Sequence, residues 1–131
     1  MQIHQSAEDY LETILMLTQR MGRVRSIDMV NELGDTKASV SIAMKKLREN
    51  GYIAVDGEGN LTLLEPGREI AERIYSRHRL LTHFFVQLGV DEEVAAEDAC
   101  KAEHILSEQT LGKIREYALL HDAEGSVQKS E

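Results

Sequence analysis

Apolar positions recur every three or four residues through most of this chain, and the breaks fall at glycine or at short polar clusters. Over residues 6–21, Tyr10, Leu11, Ile14, Leu15 and Leu17 share one side of a predicted helix, with Ser6 in the N-cap position and Glu8 and Asp9 in the first turn. A second, short helix fits 26–33, opened by the capping residue Ser26 and closed by Gly34; Ile27, Met29, Val30 and Leu33 are its apolar positions. A third fits 37–50, capped by Thr36, with Val40, Met44 and Leu47 turned inward and Lys45, Lys46 and Arg48 outward. The period then changes. Tyr52-Ile-Ala-Val and Leu61-Thr-Leu-Leu are β-type runs joined by the turn formers Asp56-Gly-Glu-Gly-Asn, which predicts a hairpin. Pro66, the only proline, marks the entry to a long helix over 67–88, whose apolar face is Ile70, Ile74, Leu81, Phe84, Phe85 and Leu88. Gly89 separates it from a helix over 90–105, and a last helix over 108–120 holds Leu111, Ile114, Tyr117 and Leu120 in phase. The polar stretch from His121 onward reads as a disordered tail.

Two helices joined by the tight Gly34-Asp-Thr turn, the second opening with short polar and basic residues and followed by a hairpin, describe a winged helix-turn-helix. The fold class is therefore mainly α: an N-terminal winged helix-turn-helix with a two-stranded β wing over 1–65, an α-helical domain over 66–120, and a tail over 121–131. A net charge of −8 argues at first against nucleic acid. The average misleads, because Arg20 to Val55 contains seven basic residues against four acidic ones. The apolar runs are too short and too broken by charge to cross a membrane, and no signal peptide is evident, so a cytoplasmic protein is expected. A single cysteine excludes an internal disulfide.

Cys100, Glu103 and His104 stand at i, i+3 and i+4, so a helix through them places all three on one face, about 5–6 Å apart. A thiolate, a carboxylate and an imidazole each offer a lone pair when deprotonated, and together they suit a borderline divalent cation. Upstream, Asp9 and Glu12 repeat the i, i+3 spacing, with His78 between the two groups in sequence. The pattern points to one metal site assembled from distant segments.

With a winged helix and this ligand pattern on one chain, the sequence resembles the diphtheria-toxin-repressor family of metal-dependent transcriptional repressors, in its short manganese-transport-regulator-like branch. The resemblance covers nearly the whole chain. It is carried by Glu8-Asp-Tyr-Leu-Glu-Thr-Ile, Ser39-Val-Ser, Arg77-His-Arg-Leu-Leu and Asp98-Ala-Cys-Lys-Ala-Glu-His-Ile-Leu-Ser. It implies metal ligands at Asp9, Glu12, His78, Cys100, Glu103 and His104, a metal-binding and dimerising second domain, and a homodimer on double-stranded operator DNA. The chain also departs from both branches of that family. The manganese branch carries a carboxylate where Cys100 stands, and the iron-responsive branch carries a methionine where Asp9 stands. A thiolate favours Fe(II), Co(II) or Zn(II), and hard oxygen donors suit Mn(II) or Fe(II), so Mn2+ and Fe2+ rank level, ahead of Zn2+ or Co2+. No basic residue stands in the wing turn, which leaves DNA contacts to Arg23, Arg25, Lys37, Lys45 and Lys46 at phosphates and to Thr36, Ser39, Ser41 and Ile42 at the start of the recognition helix. The chain ends without an SH3-like domain, so metal binding is expected to need no help from one. Neither a membrane nor a small-molecule substrate is expected as a partner.

Two other readings compete. A winged-helix regulator could answer a redox signal through Cys100. A helical di-metal carboxylate enzyme is disfavoured, because such sites use paired Glu-x-x-His repeats and this chain has adjacent Glu103 and His104 with no second copy.

Overall fold

The structure is a computed structural model that describes residues 5–129, with side chains from 6 to 122. The chain forms two compact units, Met1–Arg73 and Ile74–Glu131. The boundary falls inside one helix.

The first unit holds α1 (Gln5–Met21), α2 (Ser26–Leu33), α3 (Lys37–Glu49), β1 (Ile53–Val55), β2 (Leu61–Leu63) and the start of α4 (Glu65–Gln87). Leu11, Ile14 and Leu17 of α1, Met29 of α2, Val40 of α3 and Ile53 of β1 are all at most 2% exposed. Each such side chain contributes about 1.5–3 kcal/mol when fully buried, which is why three short helices and two three-residue strands hold together. The strands pair antiparallel, with Ile53 opposite Leu63 and Val55 opposite Leu61. Leu61 N–H also donates to Val24 O at 2.7 Å, which fastens the segment before α2 to the wing.

Local chemistry sets the ends of the recognition pair. Gly34 closes α2 at φ 72°, and its N–H donates to Val30 O at 2.9 Å. Thr36 Oγ1 accepts from Ser39 N–H at 3.1 Å and so caps α3. Thr36→Ala is expected to cost about 1 kcal/mol of stability, and Thr36→Ser a few tenths at most, as read from urea unfolding midpoints. The start of α2 differs from expectation. Ser26 is its first helical residue and Arg25 its N-cap, because Asp28 Oδ2 reaches back to accept from Arg25 N–H at 2.9 Å.

The second unit holds the rest of α4, α5 (Glu92–Ala102) and α6 (Glu108–Lys129). Leu81, Ala99 and Leu111 form its core, with Leu80, Phe85, Leu106 and Ile114 packed around them. Phe84 meets Tyr117 edge-on at 5.9 Å between ring centroids. Three expectations are corrected here. Helix α5 spans less than 90–105: Glu103 N–H still bonds Ala99 O, but Ile105 N–H bonds Ala102 O three residues back, and the chain leaves the helix. Ser107 then caps α6, accepting from Thr110 N–H at 3.1 Å, and this second nucleus competes for the same residues. Helix α6 runs on through Lys129, beyond the expected break at His121, over a stretch that includes the good helix formers Ala123, Glu124 and Gln128. Finally, Leu88 and Leu120 lie in helical phase but are 60% and 67% exposed.

Candidate metal centre and nucleic-acid interface

Glu103 is the most unusual side chain of the second unit, a carboxylate with no solvent exposure. It follows directly on α5, so its backbone is held by the helix and its side chain is carried inward beside the buried Ala99. His78, on α4, faces it: His78 Nδ1 lies 3.0 Å from Glu103 Oε2. On the other side His104 Nε2 lies 3.4 Å from Glu103 Oε1, and the His104 side chain is only 2% exposed. Glu103 Oε1 itself is buried and, among the described residues, accepts no hydrogen bond. A buried anion needs a charge partner or several donors, and a carboxylate flanked by two imidazoles, with one of its oxygens short of a donor, is an arrangement a divalent cation fits.

Arg77, which the sequence marks only as part of a family motif, holds this cluster in place. Its Nη1 donates to Glu103 O at 3.1 Å, and its Nη2 pairs with Glu108 at the start of α6. One guanidinium thus fastens the end of α5 and the start of α6 to α4. Cys100 lies one turn before Glu103 on α5 and is exposed. The expected single helical face is therefore only partly realised, because Glu103 is the C-cap of α5 and His104 lies beyond it.

In the first unit, Asp9 and Glu12 lie one turn apart on α1, where Glu12 is 5% exposed and Asp9 is half-buried. Tyr10, beside Asp9, donates its hydroxyl to Asp35 Oδ2 at 3.1 Å. Burial first, and then the bond to Asp35, push the Tyr10 hydroxyl above its ordinary pKa. Asp35 directly precedes the cap of α3. The helix that carries Asp9 and Glu12 is therefore tied to the turn that begins the recognition helix.

On α3, Thr36, Lys37, Ser39, Ser41, Ile42, Lys45 and Lys46 are all exposed, Ile42 at 57%, while Val40, Met44 and Leu47 are buried on the opposite side. The first turn holds no acidic residue. Its unpaired N–H groups, the helix dipole and Lys37 together favour an anion such as a phosphate. Arg23 is exposed just ahead of α2, whereas the Arg25 guanidinium bonds the wing at Glu58 O. The wing turn is organised by Asp56, whose Oδ1 accepts from Glu58 N–H and Asn60 N–H at 2.9 Å each. Hydrogen bonds from Asn60, side chain and then backbone, hold the Asp56 carboxyl below its ordinary pKa.

Residues 2–61 match the iron dependent repressor N-terminal DNA binding domain, and residues 64–119 match the iron dependent repressor metal binding and dimerisation domain. The chain is 35% identical over 113 residues to an HTH-type transcriptional regulator of Methanocaldococcus jannaschii, covering 85% of this chain and 90% of that protein. It is 35% identical over 109 residues to the transcriptional regulator MntR of Bacillus subtilis strain 168, covering 83% of this chain and 77% of that protein. A solved manganese-dependent transcriptional repressor in complex with manganese superposes with a TM-score of 0.78 at 28% identity, covering 86% of this chain and 52% of that one. The chain thus spans about half the length of most of the solved chains it matches. These relatives are regulators rather than enzymes, and among the described residues no helix is long and apolar enough to cross a membrane. The chain belongs to the diphtheria-toxin-repressor family of metal-dependent transcriptional repressors, within its manganese-regulator-like branch.

Proposed function

We propose that this chain is a repressor that binds operator DNA as a homodimer when loaded with Mn2+ or Fe2+, with Zn2+ or Co2+ also accommodated. The ligands in this reading are Asp9 and Glu12 from the first unit and His78, Cys100, Glu103 and His104 from the second. The observation that carries it is the fully buried Glu103 carboxylate, set between two imidazoles and with one oxygen lacking a hydrogen-bond donor. A bound divalent cation would satisfy that oxygen.

The residues of the chain do the rest. His78 and Arg77 orient Glu103 from its side chain and from its carbonyl. Tyr10 and Asp35 tie the α1 ligands to the turn that begins α3. Thr36, Lys37, Ser39, Ser41, Ile42, Lys45 and Lys46, with Arg23, form the DNA face, where the amides and basic groups take phosphates and Ile42 presents a methyl-bearing edge to bases. In a two-fold dimer two such faces must stand about 34–36 Å apart to enter successive major grooves. Leu88, Leu119 and Leu120, exposed by 60 to 67%, offer the second unit an apolar surface for its copy. Affinity for DNA follows metal supply if the cation binds more tightly to the arrangement with that spacing.

An anaerobic Co(II) titration of the metal-free chain, read by absorption, tests the site. Saturable binding with a thiolate-to-cobalt band that disappears in Cys100→Ser is expected. Saturable binding without the band removes Cys100 from the ligand set and leaves an oxygen-rich, manganese-type centre. Absence of saturable binding sinks the reading.

A further inference from the structure

Arg25 precedes α2 within the positively charged stretch, yet its guanidinium points along the wing. Nε donates to Glu58 O at 2.9 Å, and Nη2 donates to the same oxygen. The neighbouring Val24 O accepts from Leu61 N–H at 2.7 Å. The segment 24–25 therefore grips the hairpin twice, at the first residue of β2 and at the turn. The guanidinium packs beside Gly59, at φ 85°, where an added Cβ would lie 3.7 Å from Nε. Asp28 completes the arrangement by fixing Arg25 N–H from within α2.

We propose that Arg25 is a positioning residue for the wing and not a phosphate contact. The turn carries the carboxylates of Asp56 and Glu58 and no cation, so a DNA backbone repels it. A wing of two three-residue strands is weak by itself, and an isolated hairpin is marginal in water. Two charge-assisted bonds to one carbonyl hold the tip against that repulsion. Because the acceptor is a main-chain oxygen, the clamp does not depend on which side chain stands at 58.

The test uses the full chain loaded with Mn2+ and a duplex selected by it from a random library. Arg25→Ala is expected to speed hydrogen exchange at the Glu58, Gly59 and Asn60 amides by roughly tenfold or more. It is also expected to weaken DNA binding with no change in the slope of log K against log salt. Arg25→Lys, which cannot place two donors on one oxygen in the same plane, is expected to restore neither, and Glu58→Gln to leave the exchange unchanged with DNA binding no weaker than in the wild type. A slope shallower by about 0.9, the value of one lost phosphate contact, overturns the proposal, and so does unchanged exchange in Arg25→Ala. The salt arm rests on the DNA-binding reading, whereas the exchange arm is read without DNA, so failure of one is separable from failure of the other.

Discussion

Glu103→Gln is expected to move the stability of the chain in opposite directions with and without metal. In the metal-free protein the wild-type carboxylate is wholly removed from solvent, and its Oε1 has no hydrogen-bond donor. Carrying a charge into such a place costs several kcal/mol, of which the His78 bond at 3.0 Å returns a part. A neutral amide of the same shape keeps an oxygen for His78 and removes the charge. The metal-free variant is therefore expected to melt at the wild-type temperature or a few degrees above it, since about 1 kcal/mol moves a domain of this size by several degrees. With Mn2+ or Co2+ the order reverses. Removing a group one step outside a coordination sphere already costs roughly 10–100-fold in metal affinity, and Glu103 as a ligand should cost about two orders of magnitude or more. Saturating metal at wild-type levels would then raise the melting point of the wild type and barely that of the variant. Melting curves at fixed protein concentration, with and without metal, decide it. A variant destabilised in both states would make Glu103 a packing residue, and a variant stabilised by metal as strongly as the wild type would remove it from the ligand set.

The residues of this centre were legible from the sequence where spacing along one helix carried the information, and less so where packing did. Asp9 and Glu12 fall one turn apart on α1 as the i, i+3 rule requires. The partnership of His78 with Glu103 spans 25 residues and two helices, so periodicity could name both and could not place them 3.0 Å apart. The end of α5 was misjudged because no glycine or proline marks it; Ser107, a cap for the next helix, was the only signal. Where a left-handed glycine stands, as at Gly34 with φ 72°, the boundary was read correctly. Arg25 and Arg77 were the hardest to assign because each bonds a main-chain carbonyl, Glu58 O or Glu103 O, and a carbonyl leaves no trace in the amino-acid sequence. The exposed Leu88 and Leu120 show the limit of amphipathic patterning, which identifies an apolar face without saying whether the same chain or a second copy covers it.

Gly67→Ala and Gly112→Ala are expected to change stability with opposite signs, although both replace a helical glycine by the best helix former. In α4 the sequence marks Gly67 only as the start of the long helix, but a Cβ there would lie 2.1 Å from Tyr52 O and 3.0 Å from Tyr52 C. Both atoms are backbone, so no rotamer change relieves the contact. Tyr52 O is also held, since it accepts from Leu64 N–H at 3.0 Å where the chain turns from β2 into α4. Relief requires the start of α4 to move off the strand and strains that bond. Overpacking of this kind costs about 1–3 kcal/mol, occasionally more, against a helix-propensity gain of at most about 1 kcal/mol. The clash wins, and a net loss of about 2 kcal/mol is expected, read as a lower urea midpoint with an unchanged slope. Gly112, in α6, has nothing within 4 Å of its added Cβ and no positive φ. There the propensity term acts alone, and Ala is expected to add about 0.5–1 kcal/mol. If Gly67→Ala proved neutral while Gly112→Ala stabilised, the close approach of α4 to Tyr52 would be softer than its geometry requires. Equal gains at both positions would mean that α4 does not begin against that carbonyl at all.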